Sequence, residues 1–361
     1  MSRKPTVVDL FCGCGGLSRG FMDAGYEVLL GIDFDDAALK SFQHNHGEAE
    51  ALKLDLFNHD NIDVIKRKLE EKGKELDVLI GGPPCQGFSL AGKREEDDAR
   101  NQLYNAMVKT AERLQPKVVI LENVPGMLTQ YGGRFKEKIF NDFETLGYKM
   151  AVKVLYAPDY GVPQIRKRAV YVGILNGEKE FEYPEPLVKP ENYVTCAEAI
   201  SDLPSLEGDT DYNVNTIREY EEKPLSDYQK MMRKNSNKLH NHTPTKHTEK
   251  TIENLKLIPD GGKYKDLPGD MAKNYKYHES LHRYCSYKPS LTIDTGHRTH
   301  FHYKWNRIPT VREAARLQSF PDDFIFYGNK QQQYKQVGNA VPVLLSKALA
   351  EQLKKVFNDE E

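Results

Sequence analysis

A cysteine follows a turn that is rich in glycine and proline. Cys85 ends the segment Gly81-Gly82-Pro83-Pro84-Cys85, which comes directly after a short apolar run. Glycines permit a sharp turn, and two prolines restrict the backbone that leads to the thiol. A thiol on a rigid turn is placed to act as a nucleophile, although most lone cysteines are buried structural residues. The glycines and prolines argue against simple core packing, and the absence of a nearby triad-like histidine argues against ordinary acyl transfer.

An acidic residue and a basic segment also follow predicted strands. Glu122 ends an apolar run and precedes the turn Asn123-Val124-Pro125-Gly126, so it is a candidate acid facing the same cleft as Cys85. Gln164, Arg166 and Arg168 alternate along the chain, and strand geometry would put all three on one face. The alternative for this basic segment is an edge strand protected by charge.

A glycine-rich turn follows the first apolar run, in the segment Asp9-Leu10-Phe11-Cys12-Gly13-Cys14-Gly15-Gly16-Leu17-Ser18. Ser18 stands where the dinucleotide fingerprint requires its third glycine, so that fingerprint is not met. Asp33 and Asp55 end the next two predicted strands, where carboxylates can bind ribose hydroxyls or an adenine amine. Each aspartate alone could be a helix N-cap. Three successive strand ends of this kind favour an adenosine-bearing cofactor.

These residues require a framework that brings strand ends together. Short apolar runs alternate with helical periodicity at 6–9, 28–33, 51–55, 77–81, 118–122 and 169–174. This rhythm predicts an α/β fold with a mainly parallel sheet covered by helices. Because ligands bind beyond the carboxyl ends of such strands, we expect the candidate residues to line one cleft.

The last part of the chain returns to clear helical periodicity. Thr310 and Glu313 have the spacing of a capping box that opens a helix, and Pro321 ends it. Pro342 stands where a first helical position would be. We expect the final helix to pack back on the N-terminal sheet, which would make the catalytic domain discontinuous.

Composition excludes several classes of protein. The chain has 361 residues, 39% hydrophobic and 29% charged, with a formal net charge of −2. It is therefore neither disordered throughout nor a globally basic nucleic-acid binder. No apolar run approaches the roughly 18 residues of a membrane span. The N-terminus leaves no room for a signal peptide. Five cysteines without a C-x-x-C pair favour a reducing, cytoplasmic setting.

Charge is distributed unevenly in the second half of the chain. Residues 181–229 contain three basic and twelve acidic residues, whereas residues 230–305 contain fifteen basic and seven acidic residues. The second stretch is either a solvated, loop-rich lobe or a lobe that meets a polyanion. Histidines at 240–247 raise the alternative of zinc, but they lack cysteine partners and metal-ligand spacing. We therefore expect no metal.

The chain resembles the DNA (cytosine-5) methyltransferases over nearly its whole length, with the family's motifs in the family's order. The matching segments are Asp9-Leu10-Phe11-Cys12-Gly13-Cys14-Gly15-Gly16, Gly82-Pro83-Pro84-Cys85-Gln86-Gly87-Phe88-Ser89, Glu122-Asn123-Val124-Pro125-Gly126, Gln164-x-Arg166-x-Arg168, Arg312-Glu313-Ala314-Ala315-Arg316-Leu317-Gln318-Ser319-Phe320-Pro321 and Gln336-Val337-Gly338-Asn339-Ala340-Val341-Pro342. The resemblance fails at about 181–307, where family members differ and read their DNA target.

The resemblance implies a Rossmann-like, S-adenosylmethionine-dependent methyltransferase that modifies a flipped-out cytosine in a short duplex sequence. It implies that Cys85 attacks carbon 6 of the cytosine. Glu122 would then bind the exocyclic amine and protonate ring nitrogen 3, Arg168 would hold the ring oxygen and Arg166 would support the site. Unstacking the base costs a few kcal/mol, which contacts elsewhere on the duplex must offset.

The resemblance also implies contacts to cofactor and DNA. S-adenosylmethionine, and its product S-adenosylhomocysteine, would be held by Asp9, Phe11, Gly13, Gly15, Gly16, Asp33, Phe34, Asp55, Pro84 and Asn339. Residues 87–101 would form a loop that closes over DNA. The DNA contacts expected in or beside this loop are Gln86, Ser89, Lys93, Arg94 and Arg100. In the basic stretch 230–305, where the resemblance fails, the charge makes Lys263, Lys265, Arg283 and Arg298 plausible DNA contacts, with Tyr264 a further candidate.

We expect residues 1–180 and 325–361 to form the cofactor-binding catalytic domain and residues 181–324 the target-recognition domain and hinge. We further expect a monomeric, nucleoid-associated bacterial enzyme that acts beside a separate restriction endonuclease. Three alternatives remain. They are a transfer-RNA cytosine methyltransferase on the same scaffold, a catalytically silent DNA-binding regulator and a dinucleotide oxidoreductase.

Overall fold

The structure is a computed structural model that describes residues 3–84, 103–269, 271, 281–296 and 298–358. The chain divides into two compact units. The first contains Met1–Tyr156, Lys167–Glu185 and Leu345–Glu361, and the second contains Ala157–Arg166 and Pro186–Leu344. Residues 325–344 therefore fall in the second unit, whereas the sequence analysis assigned them to the cofactor-binding domain. The division of the chain by function stays a prediction.

The first unit is built on a mixed, mostly parallel sheet of seven strands. The strands are β1 (Thr6–Leu10), β2 (Glu27–Asp33), β3 (Glu50–Lys53), β4 (Val78–Gly81), β5 (Val118–Asn123), β6 (Tyr148–Tyr156) and β7 (Lys167–Leu175). Their order in the sheet is β3-β2-β1-β4-β5-β7-β6. The pairs from β3 to β5 are parallel, and β7 runs antiparallel to both β5 and β6. The predicted α/β class and mainly parallel sheet are confirmed.

Helices connect these strands as the alternation of periodic segments predicted. They are α1 (Gly16–Asp23), α2 (Asp36–Asn45), α3 (Asn61–Glu71), α4 (Tyr104–Leu114), α5 (Gly126–Thr129) and α6 (Arg134–Glu144). One apolar core joins the strands and the helices. Its buried members include Leu10 of β1, Ile65 of α3, Met107 of α4 and Phe143 of α6. Burying a side chain of this size contributes roughly 1.5–3 kcal/mol, so the core fixes where each strand ends.

The strand order reverses between β1 and β4. From β1 the chain moves outward to β2 and β3, and then returns to place β4 on the other side of β1. Leu10 and Gly81, the last residues of β1 and β4, are partners in the register. Open α/β sheets bind ligands at such a reversal. The glycine-rich turn and the turn that leads to Cys85 therefore leave the sheet side by side.

The final helix, α12 (Val343–Asn358), packs on the first unit as predicted. The Tyr26 hydroxyl donates to the Ala350 carbonyl at 3.0 Å, and the Ser346 hydroxyl donates to the Leu17 carbonyl. A Cβ atom on Gly20 of α1 would lie 2.5 Å from Ser346. The close approach of these two helices therefore depends on a glycine.

The second unit has short elements and many polar contacts. It contains α7 (Cys196–Ile200), α8 (Asp227–Arg233), α9 (Glu249–Lys256), the strands β8 (His282–Arg283) and β9 (His300–Phe301), α10 (Val311–Leu317) and α11 (Lys330–Asn339). The predicted capping box opens α10, since Thr310 and Glu313 each bond the other's backbone N–H. Within the described part of the chain, no helix is long and apolar enough to span a membrane.

Candidate active site

Asp33 joins the end of β2 to the glycine-rich turn. One carboxylate oxygen, Oδ2, accepts the Gly13 N–H at 2.8 Å, and Oδ1 accepts the N–H groups of Phe34 at 2.8 Å and Asp35 at 3.0 Å. Asp35, not Asp33, caps α2 through the N–H groups that follow it. The helix-cap interpretation of Asp33 is therefore wrong, and its carboxylate orients the turn that leaves β1.

Asp55 lies on the next connection but not at the strand end itself. Strand β3 ends at Lys53, two residues earlier than predicted. Asp55 is exposed, and its carboxylate accepts the Phe57 N–H at 3.0 Å in a local turn. The residue in the N-cap position of α3 is Asp60, so the helix-cap interpretation fails here too. The exposed Asp55 side chain is open to ligands.

Two aromatic residues accompany these carboxylates. Phe11 has a left-handed backbone with φ of 59° and packs partly on the core of the first unit. Phe34 is 67% exposed at the end of β2. An exposed phenyl ring costs hydration free energy unless a ligand or partner covers it, and a purine ring is a suitable cover.

Asp9 lies inside β1 rather than at its surface end. It is 1% exposed, and its Oδ2 atom has no hydrogen-bond partner. Burial raises the pKa of this carboxyl to about 8, although hydrogen bonds from Ser18 oppose the shift. A buried carboxyl group with an unused oxygen is unusual in a folded protein, and it stands directly before the glycine-rich turn.

Glu122 and Arg168 form an ion pair beside the turn that leads to Cys85. Arg168 Nε lies 2.5 Å from Glu122 Oε1, and both side chains are nearly buried. A Cβ atom on Gly82 would lie 3.1 Å from Glu122 Oε2. Asn123 donates from Nδ2 to the Pro83 carbonyl at 3.1 Å. The turn after β4 is thus held against the end of β5, and the half-buried Pro84 belongs to it.

Several predicted site residues lie outside the described residues. They are Cys85, Gln86, Ser89, Lys93, Arg94 and Arg100. Their predicted roles stay predictions.

The remaining motifs meet in the second unit. Arg166 donates to the Gly338 carbonyl at 2.9 Å and to the Ile293 carbonyl at 3.3 Å. Gln164 donates to Gln318, whose own amide donates to the Ala340 carbonyl at 2.6 Å. Three motifs that are far apart in sequence therefore form one hydrogen-bonded cluster.

Asn339, the predicted cofactor contact from the C-terminal motif, is the last residue of α11 and follows Gly338 in this cluster. A Cβ atom on Gly338 would lie 2.5 Å from the Asp294 carbonyl oxygen. Gly338, directly before Asn339, is therefore packed too tightly against this backbone for a residue with a side chain.

Comparison with known proteins identifies the family. The sequence profile described as C-5 cytosine-specific DNA methylase matches residues 5–355. The type II methyltransferase M1.HphI of Haemophilus parahaemolyticus is 36% identical over 98% of this chain and 88% of its own length. The type II methyltransferase M.DdeI of Desulfomicrobium norvegicum is 34% identical over 98% of this chain and 89% of its own.

The chain belongs to the C-5 cytosine-specific DNA methylases. A solved structure from E. coli, described as a DNA modification methyltransferase encoded within a prophage, is also similar to this methylase. It superposes with a TM-score of 0.80 at 26% identity, covering 98% of this chain and all of that one. The enzyme is a DNA (cytosine-5) methyltransferase, and membership of this family implies S-adenosylmethionine as the methyl donor.

The residues at the ends of β1 to β3 fit that donor. Gly13 has a φ of +54°, and no atom lies within 4 Å of the position its Cβ would occupy, so a ligand can approach the backbone there. The carboxylate of Asp33, which lies at this turn, suits a cationic sulfonium group. The exposed Phe34 ring and the exposed Asp55 carboxylate suit an adenine.

The structure separates the predicted DNA contacts of the second unit into exposed and buried residues. Lys265 and Arg298 are exposed and Lys263 is half-buried. Arg283 is buried, and its guanidinium donates to the carbonyls of His302 and Leu255. Tyr264 is buried against Phe301, with ring centroids 5.3 Å apart. Arg283 and Tyr264 thus stabilise the interior of the second unit, and they are not proposed as DNA contacts.

The histidines at 240–247 have structural partners. His242 is fully buried between the Thr310 hydroxyl and the Pro204 carbonyl, each 2.9 Å away. Across the described ranges, no three side chains of the metal-ligating types come together as a candidate metal site.

Sequence reasoning missed His46, and it noted Ser18 only as the residue that breaks the glycine fingerprint. The His46 ring lies behind Gly15, where a Cβ atom would meet it at 2.2 Å. A lone histidine directly after a helix carries no motif, and only the fold brings it to a turn thirty residues earlier in the chain.

Proposed function

We propose that this methylase modifies one cytosine within a short duplex DNA sequence through a transient bond between Cys85 and carbon 6 of the base. The observation that carries the proposal is the buried Glu122–Arg168 pair, which lies beside Gly82 in the turn that leads to Cys85. An acid and a fixed cation at that point suit a pyrimidine, which presents an amine, a ring nitrogen and a carbonyl along one edge.

Cys85 supplies the nucleophile. An aromatic cytosine is a poor methyl acceptor, and addition of a soft thiolate at carbon 6 breaks the aromaticity reversibly. The bond formed is sulfur to carbon 6, and the ring electrons move toward nitrogen 3. Loss of the proton from carbon 5 later expels the thiolate and restores the double bond.

Glu122 and Arg168 stabilise the charge that this addition creates. Glu122 hydrogen-bonds the exocyclic amine and gives a proton to nitrogen 3, so that negative charge does not accumulate on the ring. Arg168 holds the ring oxygen and Arg166 supports the site. Arg168 is pre-positioned by its contact with Glu122, and preorganised charges of this kind need no rearrangement during the reaction.

The turn of the first unit holds the methyl donor. We infer that Asp33 binds the ribose hydroxyls, Asp55 the adenine amine and Phe34 the adenine face. Asp9, Phe11 and Pro84 line the same site, together with the backbone of Gly13, Gly15 and Gly16. Asn339 stays a predicted cofactor contact from the C-terminal motif. When bound, S-adenosylmethionine supplies an electrophilic methyl group to carbon 5.

The target base must leave the duplex, at a cost of a few kcal/mol. We propose that residues 181–324 form the recognition domain and hinge, with the basic stretch 230–305 facing the DNA and the acidic stretch 181–229 away from it. Lys263, Lys265 and Arg298 supply phosphate contacts there. Gln86, Ser89, Lys93, Arg94 and Arg100 contact DNA from the segment after Cys85.

We also propose a role in restriction-modification. The relatives M1.HphI and M.DdeI are type II methyltransferases, and such a role requires a separate endonuclease of the same specificity. We propose a cytoplasmic, nucleoid-associated enzyme that acts as a monomer and requires no metal.

A trapping experiment tests the covalent step. The full-length protein is incubated with S-adenosylmethionine and duplex DNA in which 5-fluorocytosine replaces cytosine. Because fluorine cannot leave carbon 5 as a proton does, the Cys85 adduct persists and migrates as a protein–DNA species in denaturing gels. Parallel reactions with labelled S-adenosylmethionine on DNA and on transfer RNA identify the substrate class.

The matched control exchanges a different cysteine. Cys196→Ala removes a buried thiol of the second unit and retains the adduct, whereas Cys85→Ser abolishes it. Recovery of the adduct from Cys85→Ser, or none from the wild-type protein on DNA that it methylates, would overturn the mechanism.

A further inference from the structure

His46 stands at the centre of a buried polar chain behind the cofactor turn. Its ring stacks on Phe42 at 4.1 Å and an interplanar angle of 5°. Nδ1 lies 2.9 Å from the Phe42 carbonyl oxygen, and Nε2 lies 3.2 Å from both the Ser18 hydroxyl and the Gly15 carbonyl oxygen. Ser18 is itself fully buried and bonds the Asp9 carboxyl through its hydroxyl and its backbone N–H. The chain therefore runs from Asp9 through Ser18 and His46 to a carbonyl of α2.

Both ring nitrogens of His46 face backbone carbonyl oxygens. Nδ1 faces Phe42 and Nε2 faces Gly15, and because a carbonyl can only accept, either tautomer of the ring donates to one of them. Burial lowers the pKa of His46 to about 4, with the nearby Arg19 acting in the same direction. The ring is therefore neutral at pH 7 and joins α2 to the glycine-rich turn through Gly15 and Ser18.

The other end of the chain is the buried carboxyl group of Asp9. Burial, with a smaller effect of Asp33, raises the pKa of Asp9 to about 8, although the hydrogen bonds from Ser18 oppose this shift. The carboxyl group therefore lies next to Ser18 with its Oδ2 atom unpaired among the described residues.

The chain bears directly on the glycine-rich turn. Ser18 lies in the first turn of α1, and His46 fills the space behind Gly15, whose φ of +91° and missing Cβ allow the ring to approach. Phe42 also packs against both Gly15 and Gly31 of β2, since a Cβ atom would lie 2.8 Å from its ring on Gly15 and 2.3 Å from it on Gly31. Loss of His46 would remove a partner of the Ser18 hydroxyl and of the Gly15 carbonyl, at the point where the turn must hold its shape.

We propose that His46 is a positioning residue for S-adenosylmethionine, acting through Ser18 on the turn between β1 and α1. This inference rests on the proposed function only in taking that turn as the cofactor site. His46 touches neither the cofactor nor DNA in this proposal. Its loss therefore weakens cofactor binding and leaves the chemical step intact.

Two substitutions of His46 separate positioning from packing. A glutamine side chain can place an amide oxygen near the position of Nε2, whereas an asparagine is about one bond too short. We expect His46→Gln to bind S-adenosylmethionine and S-adenosylhomocysteine within about twofold of the wild type. We expect His46→Asn to bind both about tenfold more weakly, which is about 1.4 kcal/mol, as measured by titration calorimetry on the full chain.

Ser18→Ala is a second, independent test with little change in volume. It should also weaken binding, and the effects of the two substitutions should be less than additive in the double variant, because they share the Ser18–His46 contact. In steady-state assays, His46→Asn should raise KM for S-adenosylmethionine and leave kcat within about twofold. Melting temperatures show that the variants compared are folded.

The outcomes separate this inference from the proposed function. If the wild-type protein binds neither cofactor nor product, the proposed function fails. If it binds them and Ser18→Ala binds equally well, or if His46→Gln is as weak as His46→Asn, the positioning role fails and the proposed function stands.

Discussion

Arg168 Nε lies 2.5 Å from Glu122 Oε1, across the boundary between the parallel and antiparallel parts of the sheet. Glu122 is in β5 and Arg168 in β7, and these strands are antiparallel neighbours in which Glu122 pairs with Val170. The antiparallel strand β7, which lies beside the parallel strands of the sheet, therefore brings the cation of Arg168 to Glu122. Glu122 in turn lies beside the turn that leads to Cys85.

Glu122→Gln should abolish most of the activity and retain DNA binding. Glutamine can hydrogen-bond an amine but cannot protonate a ring nitrogen, and general acid catalysis contributes about 10²–10⁴-fold. We expect kcat to fall at least about a hundredfold in a labelled methyl-transfer assay. Glu112→Gln, on the exposed face of α4, is the matched control and should retain wild-type kcat. An equal loss in both variants would remove the catalytic role of Glu122.

Asp33→Asn should weaken cofactor binding. The carboxylate accepts three backbone N–H groups with its two oxygens, and an amide has only one accepting oxygen. We expect the Kd for S-adenosylhomocysteine to rise about tenfold, consistent with the loss of one charge-assisted hydrogen bond of about 1.5–3 kcal/mol. Asp36→Asn, three residues further on and exposed, should bind normally. Equal affinities for the two variants would refute the role of Asp33.

Asp9 should make stability depend on pH. Burial raises the pKa of its carboxyl from 3.8 to about 8 in the folded protein, so between these values the folded chain keeps a proton that the unfolded chain loses. The free energy of unfolding therefore falls as pH rises through this window, by at most about 1.4 kcal/mol per pH unit. Asp9→Asn lacks this dependence. Urea unfolding from pH 5 to 9 should show that the free energy of unfolding of Asp9→Asn rises relative to that of the wild type up to about pH 8. If the difference between the two proteins did not change with pH, Asp9 would be ionised in the folded state.

Arg316 should be essential for the stability of the second unit. It is fully buried between Asp202 and Asp322. Removing one member of a buried ionic cluster leaves uncompensated charge and costs about 3–5 kcal/mol. We expect Arg316→Met to lower the urea midpoint sharply, and the double variant Arg316→Met, Asp202→Asn to recover part of the loss, because Asp322 stays charged beside the buried Arg312. A double variant less stable than the single one would contradict this explanation.

Reversing charge on the second unit should weaken DNA binding. Lys263→Glu with Lys265→Glu removes two candidate phosphate contacts. Each lost contact should reduce the slope of log affinity against log salt by about 0.9. Lys109→Glu on α4 reverses an exposed charge in the first unit and should leave the slope unchanged. An unaltered slope in the double variant would place the DNA on another surface.

The parts of the fold that repeat locally were predictable. Apolar runs, glycine and proline turns and the Thr310 capping box are set by residues within a few positions of one another, so the strands from β1 to β5, β7 and helices α10 and α12 were anticipated. Strand β6 was not anticipated, because Lys149 and Lys153 at its exposed positions make the segment resemble a polar loop.

What the sequence by itself determined is the set of chemical groups at the strand ends, since parallel strands must deliver their carboxyl ends to one edge of the sheet. Tertiary structure alone decided which of those groups meet. It buried Arg283 and Tyr264, set His46 behind Gly15, and joined Gln164 to Gln318 across 154 positions of chain. The physical reason is that burial and pairing at long range depend on how whole elements pack, and no local pattern of residues records that packing.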